Sequence, residues 1–262
     1  MSNLNFNGKS GWFCPPKNKY GLSTKEVKDI TLDNFSFLAR VKPNWDRIRT
    51  IPYSHKECGI IIKNGKHTGI SAIVNEEGTK FFIKGTVWTK VESNVVMPVQ
   101  DGDVLEFKEL AKNEEVPTDI LLRVNWGPND LEKEFDLGFT YNKKEKKLSL
   151  YCNGQWETKT FEGELIDYSN SWLWVGVCNP LESCPEEFRH FYFGTMNYVG
   201  IYQECLTKEE IVNTFKDTTT INKNLNPVCI FDFEKHTPYK VLDVTYNGNN
   251  IIKFDKTWMH SI

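Results

Sequence analysis

The sequence predicts an all-β chain folded as a two-sheet antiparallel sandwich, and three observations predict it. Short runs rich in β-branched and aromatic residues recur along the chain. Asn-Gly and related dipeptides punctuate them. No alternation of strand and helix periods appears of the kind that builds a parallel sheet. Many short strands with frequent turn signals read as a sandwich or barrel.

The turns are the most explicit signal. Asn-Gly occurs at Asn7-Gly8, Asn64-Gly65, Asn153-Gly154 and Asn247-Gly248, and Asp101-Gly102 is a related pair. Both residues tolerate positive φ, which the type I′ turn of a twisted hairpin requires. Before Asn153, Leu148, Leu150 and Cys152 alternate with Ser149 and Tyr151; after Gly154 comes the run Gln155 to Lys159. That pattern predicts a hairpin.

In chain order the further strand candidates are Phe35–Val41, Gly59–Lys63, Gly69–Val74, Lys80–Trp88, Val104–Phe107, Ile120–Trp126, Phe135–Tyr141, Trp172–Val177, Phe191–Tyr202 and Pro227–Phe233. Two short helical turns interrupt them. At Leu206–Ile211, Thr207 is placed to cap, Glu210 to return the bond, and Leu206 with Ile211 to staple the turn. Leu22–Val27 repeats this grammar with Ser23, Glu26, Leu22 and Val27.

The bulk numbers bound the functional classes. A chain of 262 residues can bury a sizeable core. Its 39% apolar and 26% charged content is that of an ordinary globular protein. The net charge of −3 supplies no basic excess for a nucleic-acid backbone, so nucleic acid is not an expected partner. The one dense basic run, Lys143, Lys144, Lys146 and Lys147, reads as a solvated loop between strands. No stretch has the length and apolarity of a spanning helix, so no membrane partner is expected. The start, Met1 to Gly11, lacks the apolar core of a signal peptide; the expectation is a protein made in the cytoplasm, in a virion or exposed outside the cell only by another route. Seven irregularly spaced cysteines argue for reduced thiols, with Cys178 and Cys184 the pair near enough in sequence to bridge under oxidation. Plentiful Asn, Lys and Ile suit an AT-rich genome, as in many phages. Residues 1–262 read as one sandwich domain, with 227–262 as a C-terminal strand segment packing on it.

Several segments, in order, resemble the laminin-G-like domains of the concanavalin A-like jelly-roll class. Leu4 to Phe13 is similar to their first strand, and Asn34 to Pro43 to the strand that follows, without its Trp. Lys147 to Gly154 resembles an L-x-L-Y-V-N-G hairpin, and Trp172 to Gly176 an L-x-I-G strand. Phe193 to Tyr202, followed by Leu206 to Ile211, resembles F-x-G-x-I-D-E-V-R-I-Y with its L-S-x-E-E-I turn. Val241 to Asn250 is similar to a D-x-S-G-N-G-N element that in these domains comes first, whereas here it comes last. The stretch Ile51 to Pro128 has no counterpart. The resemblance implies the fold, and the fold hosts lectins, hydrolases, lyases and structural domains alike.

The residues themselves offer no catalytic set. Glu132, Glu134 and Asp136 alternate as an acidic row, which a polysaccharide-cleaving enzyme of this fold would need. Alternate strand positions lie about 7 Å apart, whereas a retaining carboxylate pair needs about 5–5.5 Å. The row reads instead as the solvent face of a strand. His55 with Cys58, and Cys178, Cys184 with His190, leave a zinc site incomplete. No resident metal or cofactor is expected. Calcium alone stays open, because many relatives of this fold bind it in loops; Asp101 with Asp103, or Asn129 with Asp130, offer hard oxygen ligands. For sugars the candidates are aromatics beside polar loops: Trp45, Trp126 and Trp156, with Asn129 and Asp130 adjoining Trp126. Trp172 and Trp174 share a strand face and read as core.

The sequence therefore predicts a non-catalytic binding or structural module, at a virion surface, on a capsid or in a fibre, whose partners are glycans or the other protein subunits of an assembly. The ligand-binding candidates are Trp126, Asn129, Asp130 and Trp156. A polysaccharide-cleaving hydrolase or lyase and a calcium-dependent lectin stand as the alternatives.

Overall fold

The computed structural model describes residues 4–7, 10–14, 33–51, 56–63, 68–91, 95–101, 104–110, 112–127, 130, 133–161, 163–166, 173–178, 190–237, 240–247 and 249–255. The strands are β1 Leu4–Asn7, β2 Ser10–Cys14, β3 Phe35–Pro43, β4 Lys56–Lys63, β5 Thr68–Val74, β6 Phe81–Lys90, β7 Val95–Asp101, β8 Val104–Leu110, β9 Glu115–Val124, β10 Phe135–Asn142, β11 Lys147–Cys152, β12 Gln155–Thr160, β13 Glu164–Leu165, β14 Leu173–Val175, β15 Val177–Cys178, β16 His190–Phe191, β17 Phe193–Tyr202, β18 Pro227–Thr237, β19 Lys240–Asp243 and β20 Ile251–Asp255. Two helices, α1 Trp45–Ile48 and α2 Lys208–Lys216, complete the described elements, with a 3-10 turn at Lys223–Leu225.

Every described strand pair is antiparallel. The ladder runs β12-β11-β10-β3-β17-β18-β19-β20-β2-β14-β4-β5-β6, with β9 on β6 and β1 on β17. It folds over, so the half built on β3, β10, β11 and β17 faces the half built on β4, β5, β6 and β9 across one core. This is the two-sheet antiparallel sandwich that the sequence predicts. The strands from 227 onward lie in the ladder between β17 and β2. At its far ends β12 and β9 run alongside without a ladder between them, and Lys159 Nζ donates to the Asp119 carbonyl at 3.0 Å.

Period-two patterning decides what each strand buries. On β3, Phe35, Phe37, Ala39 and Val41 point into the core, and on β10 Phe135, Leu137, Phe139 and Tyr141 do the same. Ile70, Ala72 and Val74 of β5 and Ile83 and Val87 of β6 meet them from the other side. Gly85 sits at the centre of that meeting: a Cβ there would come within 2.4 Å of the Phe139 ring, so bare backbone makes room for the aromatic.

The half built on β3 is also covered from outside. Leu38, Tyr151, Tyr198, Tyr202 and Ile230 form a second apolar cluster with Leu206, Ile211 and Phe215, which α2 brings down onto the sheet. The expected cap is present: Thr207 Oγ1 accepts from the Glu210 amide at 3.3 Å and the Glu210 carboxylate accepts from the Thr207 amide at 2.8 Å. Gly138 allows the helix to sit close, since a Cβ there would be 2.9 Å from Ile211 Cδ1. Beneath α2 the Tyr198 and Tyr202 hydroxyls share a hydrogen bond of 2.5 Å.

The Asn153-Gly154 hairpin has the expected chemistry, with φ of 44° and 91° at its two turn residues. Asn153 also ties the turn to the neighbouring strand, accepting from the Asp136 amide at 2.7 Å and donating to the Glu134 carbonyl at 3.0 Å. Four expectations change. The run Trp172–Val177 is broken at Gly176, whose φ of 75° ends β14 before β15 begins. The strand expected over Ile120–Trp126 starts earlier, at Glu115, because its polar first half pairs with β6 along its whole length. Residues 45–48, read as a polar loop, form α1 with Asn44 as its cap. Trp45 is accordingly in the core, 1% exposed and packed on Phe81 and Phe135, so it offers no sugar platform. The helical turn expected at Leu22–Val27 lies outside the described residues.

The D-x-S-G-N-G-N-like element is a structural knot. Asp243 is buried, and its carboxylate accepts from the amides of Ile230, Thr245 and Asn249 and from the Thr245 hydroxyl. Asn249 and Asn247 side-chain amides donate to the Val228 carbonyl. A carboxylate with four donors is fully satisfied out of water, which fixes the corner between β18 and β20.

Candidate functional site

The predicted ligand-binding residues fall in two places. Trp126 is half-buried at the end of β9 and packs edge-on against Phe81 at 4.8 Å between centroids, on the central core. Asp130 shares its loop: its carboxylate accepts from the Gly127 amide at 2.9 Å and lies 3.8 Å from Lys133 Nζ. Asn129 lies outside the described residues. Trp156, half-buried on β12, packs against Tyr151 at 6.5 Å and belongs to the outer cluster under α2. The two tryptophans thus serve different clusters and form no common platform. Of the residues considered for calcium, Asp103 and Asn129 lie outside the described residues, as does the side chain of Asp101; among the described residues no group of three or more His, Cys, Asp or Glu side chains converges.

The acidic row is also divided. Glu132 lies outside the described residues. Glu134 is exposed and accepts a hydrogen bond from the Asn197 amide. Asp136 is not a solvated strand acid: Arg40, directly across on β3, grips both its oxygens at 2.6 and 3.0 Å. Arg40 also donates to the Phe215 carbonyl at 2.7 Å and stacks over the Phe215 ring. The Asp136 hydrogen bond and charge hold the Arg40 guanidinium above its usual pKa. A cation at the last turn of α2 is favoured by the helix dipole, so this acid anchors a helix rather than facing a cleft.

The described zinc candidates do not assemble either. Cys58 is buried, and burial pushes its thiol far up. His55 and Cys184 lie outside the described residues. Cys152 is pushed up to about 12, again by burial, and Cys229 is buried; Cys205 is half-exposed. Cys58, Cys152 and Cys205 are all raised by burial, the opposite of a reactive thiolate.

A more coherent arrangement lies on the outward face of β5, β6 and β9. Along β6, Phe81, Ile83, Gly85 and Val87 face the core, which turns Phe82, Lys84, Thr86 and Trp88 outward. The pairing with β9 sets Arg123 beside Phe82, Leu121 beside Lys84, Asp119 beside Thr86 and Pro117 beside Trp88. The pairing with β5 sets Ser71 on the other flank of Lys84. This face is open at β9, where Leu121 is 50% exposed.

Its polar centre is built. Glu57, reaching over from β4, accepts from Ser71 Oγ at 2.5 Å and from Lys84 Nζ at 2.8 Å. Lys84 and Glu57 side chains are each only 14% exposed. A second fixed pair sits beside them, Thr86 Oγ1 donating to Asp119 at 2.6 Å. Ser71 and Thr86 are buried, 2% and 3% exposed, so their hydroxyls hold the acids in place; the partly exposed Glu57, Lys84 and Asp119 can read hydroxyl groups, and the half-buried rings of Phe82 and Trp88 can stack on apolar ring faces. As a nucleophile Ser71 is poorly placed. It donates to a carboxylate already neutralised by Lys84, so no strong base takes its proton.

Sequence reasoning missed this face although its signal was present. The alternation of polar and aromatic residues at 82, 84, 86 and 88 against apolar residues at 81, 83 and 87 is legible. It lies in the stretch without a family counterpart, and its aromatics sit within a strand rather than beside a polar loop.

The sequence matches no family model and no curated protein. Solved structures with a similar arrangement include a Bacteroides ovatus protein, 11% identical with a TM-score of 0.49, where the match covers 96% of this chain and 60% of that one. A heptameric pentraxin from Limulus polyphemus is 10% identical with a TM-score of 0.44, covering 97% and 98%. Mouse laminin α1 domains are 11% identical with a TM-score of 0.34, covering 76% and 42%. This chain spans less than two thirds of the first and the last of these. At this identity the likeness concerns fold and not function.

Proposed function

We propose that the chain is a non-catalytic glycan-binding module that reads its ligand on the outward face of β5, β6 and β9. The observation that carries this reading is the ordered polar centre, Glu57 with Ser71 and Lys84 beside Thr86 with Asp119, flanked on one strand by Phe82 and Trp88. Binding sites combine apolar and aromatic surface with a few fixed polar groups, and this face has both. The paired acids expected of a hydrolase are committed elsewhere, Asp136 to Arg40 and Glu134 to Asn197.

The setting proposed is a larger assembly, a virion surface, capsid or fibre, in which such a module would contact host glycans. The support is compositional, from AT-rich residue usage. Co-purification with a large particle tests the setting; a monodisperse monomer with no partner in its native lysate counts against it. A glycan array tests the binding. Asp119→Asn and Lys84→Met are expected to lose the signal, while Trp156→Ala, on a different cluster, keeps it. Retention of full binding by both face variants, or its loss only with Trp156→Ala or Trp126→Ala, would move the site back to the loop tryptophans.

A further inference from the structure

The spacing and charge of this face specify the kind of glycan, an inference that rests on the binding reading above. We infer that the ligand is an internal stretch of a linear, uncharged polysaccharide laid along β6, rather than a terminal sugar or an acidic chain.

Length comes first. Phe82 and Trp88 are six residues apart on the same face of β6, which at about 3.3 Å per residue separates them by roughly 20 Å. One sugar ring cannot touch both. Lys84 lies between them with its partner Glu57, and Asp119, held by the buried Thr86, lies beside them on β9. A chain long enough to reach both rings would pass over that polar centre. A terminal monosaccharide would use one aromatic and leave the rest of the face unengaged.

Charge comes second. Alternation along β6 and β9 places Lys84, Lys90 and Arg123 outward together with Glu115 and Asp119, and Glu57 joins them from β4. These three cations meet four anions, because Glu164 of β13 stands directly across from Lys90 on its other flank. Lys84 is tied to Glu57, and Lys90 stands directly across from Glu115. A polyanionic chain would meet acids at least as often as bases along its path, and like charges brought together oppose binding. A neutral chain offers hydroxyls that carboxylates accept from and that ammonium and guanidinium groups donate to, with no net charge to balance.

The test is a titration with linear neutral oligosaccharides from disaccharide to octasaccharide, run beside oligogalacturonates and sialylated oligosaccharides of matching size. The expected result is binding that strengthens with neutral chain length and then levels off. Phe82→Ala and Trp88→Ala should each weaken the long chains about tenfold, with little effect on the disaccharide. Phe82→Tyr and Trp88→Phe should restore most of the loss, which separates stacking from misfolding. Length-independent binding of neutral sugars would overturn the inference and leave the glycan-binding reading standing. Tighter binding of the acidic series would also overturn it. Failure to bind any sugar of the panel, by a protein with a normal unfolding transition, would take down both.

Discussion

Replacing Gly85 by alanine adds one methyl group at the most crowded point between the sheets. The new Cβ would lie 2.4 and 2.5 Å from two carbons of the Phe139 ring. Carbon atoms pack at about 3.5–4.0 Å, so the ring must retreat by roughly 1.2 Å. It has little space to do so, being fully buried and in edge contact with Phe35 at 5.9 Å. Overpacking of this kind costs about 1–3 kcal/mol. The alanine recovers about 0.4–1 kcal/mol by restricting the unfolded chain. The middle of these ranges leaves a loss of about 1.3 kcal/mol, read as a lower urea midpoint with an unchanged slope. Phe139→Leu removes the obstructing ring edge. In the Gly85→Ala background it should cost less than it does alone, giving a coupling of about 0.5–2 kcal/mol in a double-mutant cycle. Gly85→Ala that is neutral, or strictly additive with Phe139→Leu, would refute the claim that Gly85 exists to admit this ring.

Arg40→Met breaks the grip on Asp136 and the bond to the Phe215 carbonyl; with side chains a fifth to a quarter exposed, a loss of about 1–2 kcal/mol is expected, and denaturation midpoints check it. Burial raises the folded-state pKa of Tyr141 to about 12, and those of Tyr192, Tyr198 and Tyr202 above the ordinary value of 10. A raised folded pKa gives stability that is complete below pH 10 and is lost as pH rises through the folded values; urea midpoints should therefore fall steadily above pH 10, and a flat profile to pH 12 would contradict the burial. Among the four described free cysteines, Cys205 should react first with a thiol reagent at neutral pH, while Cys58, Cys152 and Cys229 wait for unfolding. Mass spectrometry of partly labelled protein gives the order.

How much of this was legible beforehand depends on how local the determining physics is. The Asn153-Gly154 hairpin and the Thr207–Glu210 cap are written in adjacent residues, and both appear with the expected geometry. The fold class follows from many such signals. What the chain does not write locally is which side of a strand each neighbour covers. Trp45 follows a proline and an asparagine and reads as a loop residue, yet Asn44 caps a one-turn helix that drops it into the core. Asp136 reads as a solvated acid because its partner Arg40 is 96 residues away. The outward face of β6 suffers from the same blindness: Lys84, Ser71 and Glu57 lie on three strands, and only register makes them a unit. Gly176 breaks its strand through a left-handed φ, and the glycine inside Trp172–Val177 was the local sign of it.

The two ends of the ladder, β12 and β9, are also boundaries. An unpaired strand margin is a template on which another chain can crystallise as an added strand. Here the margins lie side by side, each partly shielding the other, and Lys159 places an ammonium on the Asp119 carbonyl at that border. Neither margin can accept a stranger without first removing a charged group and parting from its neighbour. A protein working at high local density, many copies on one surface, would thereby keep its copies from fusing through their sheets while leaving the broad faces available for contact.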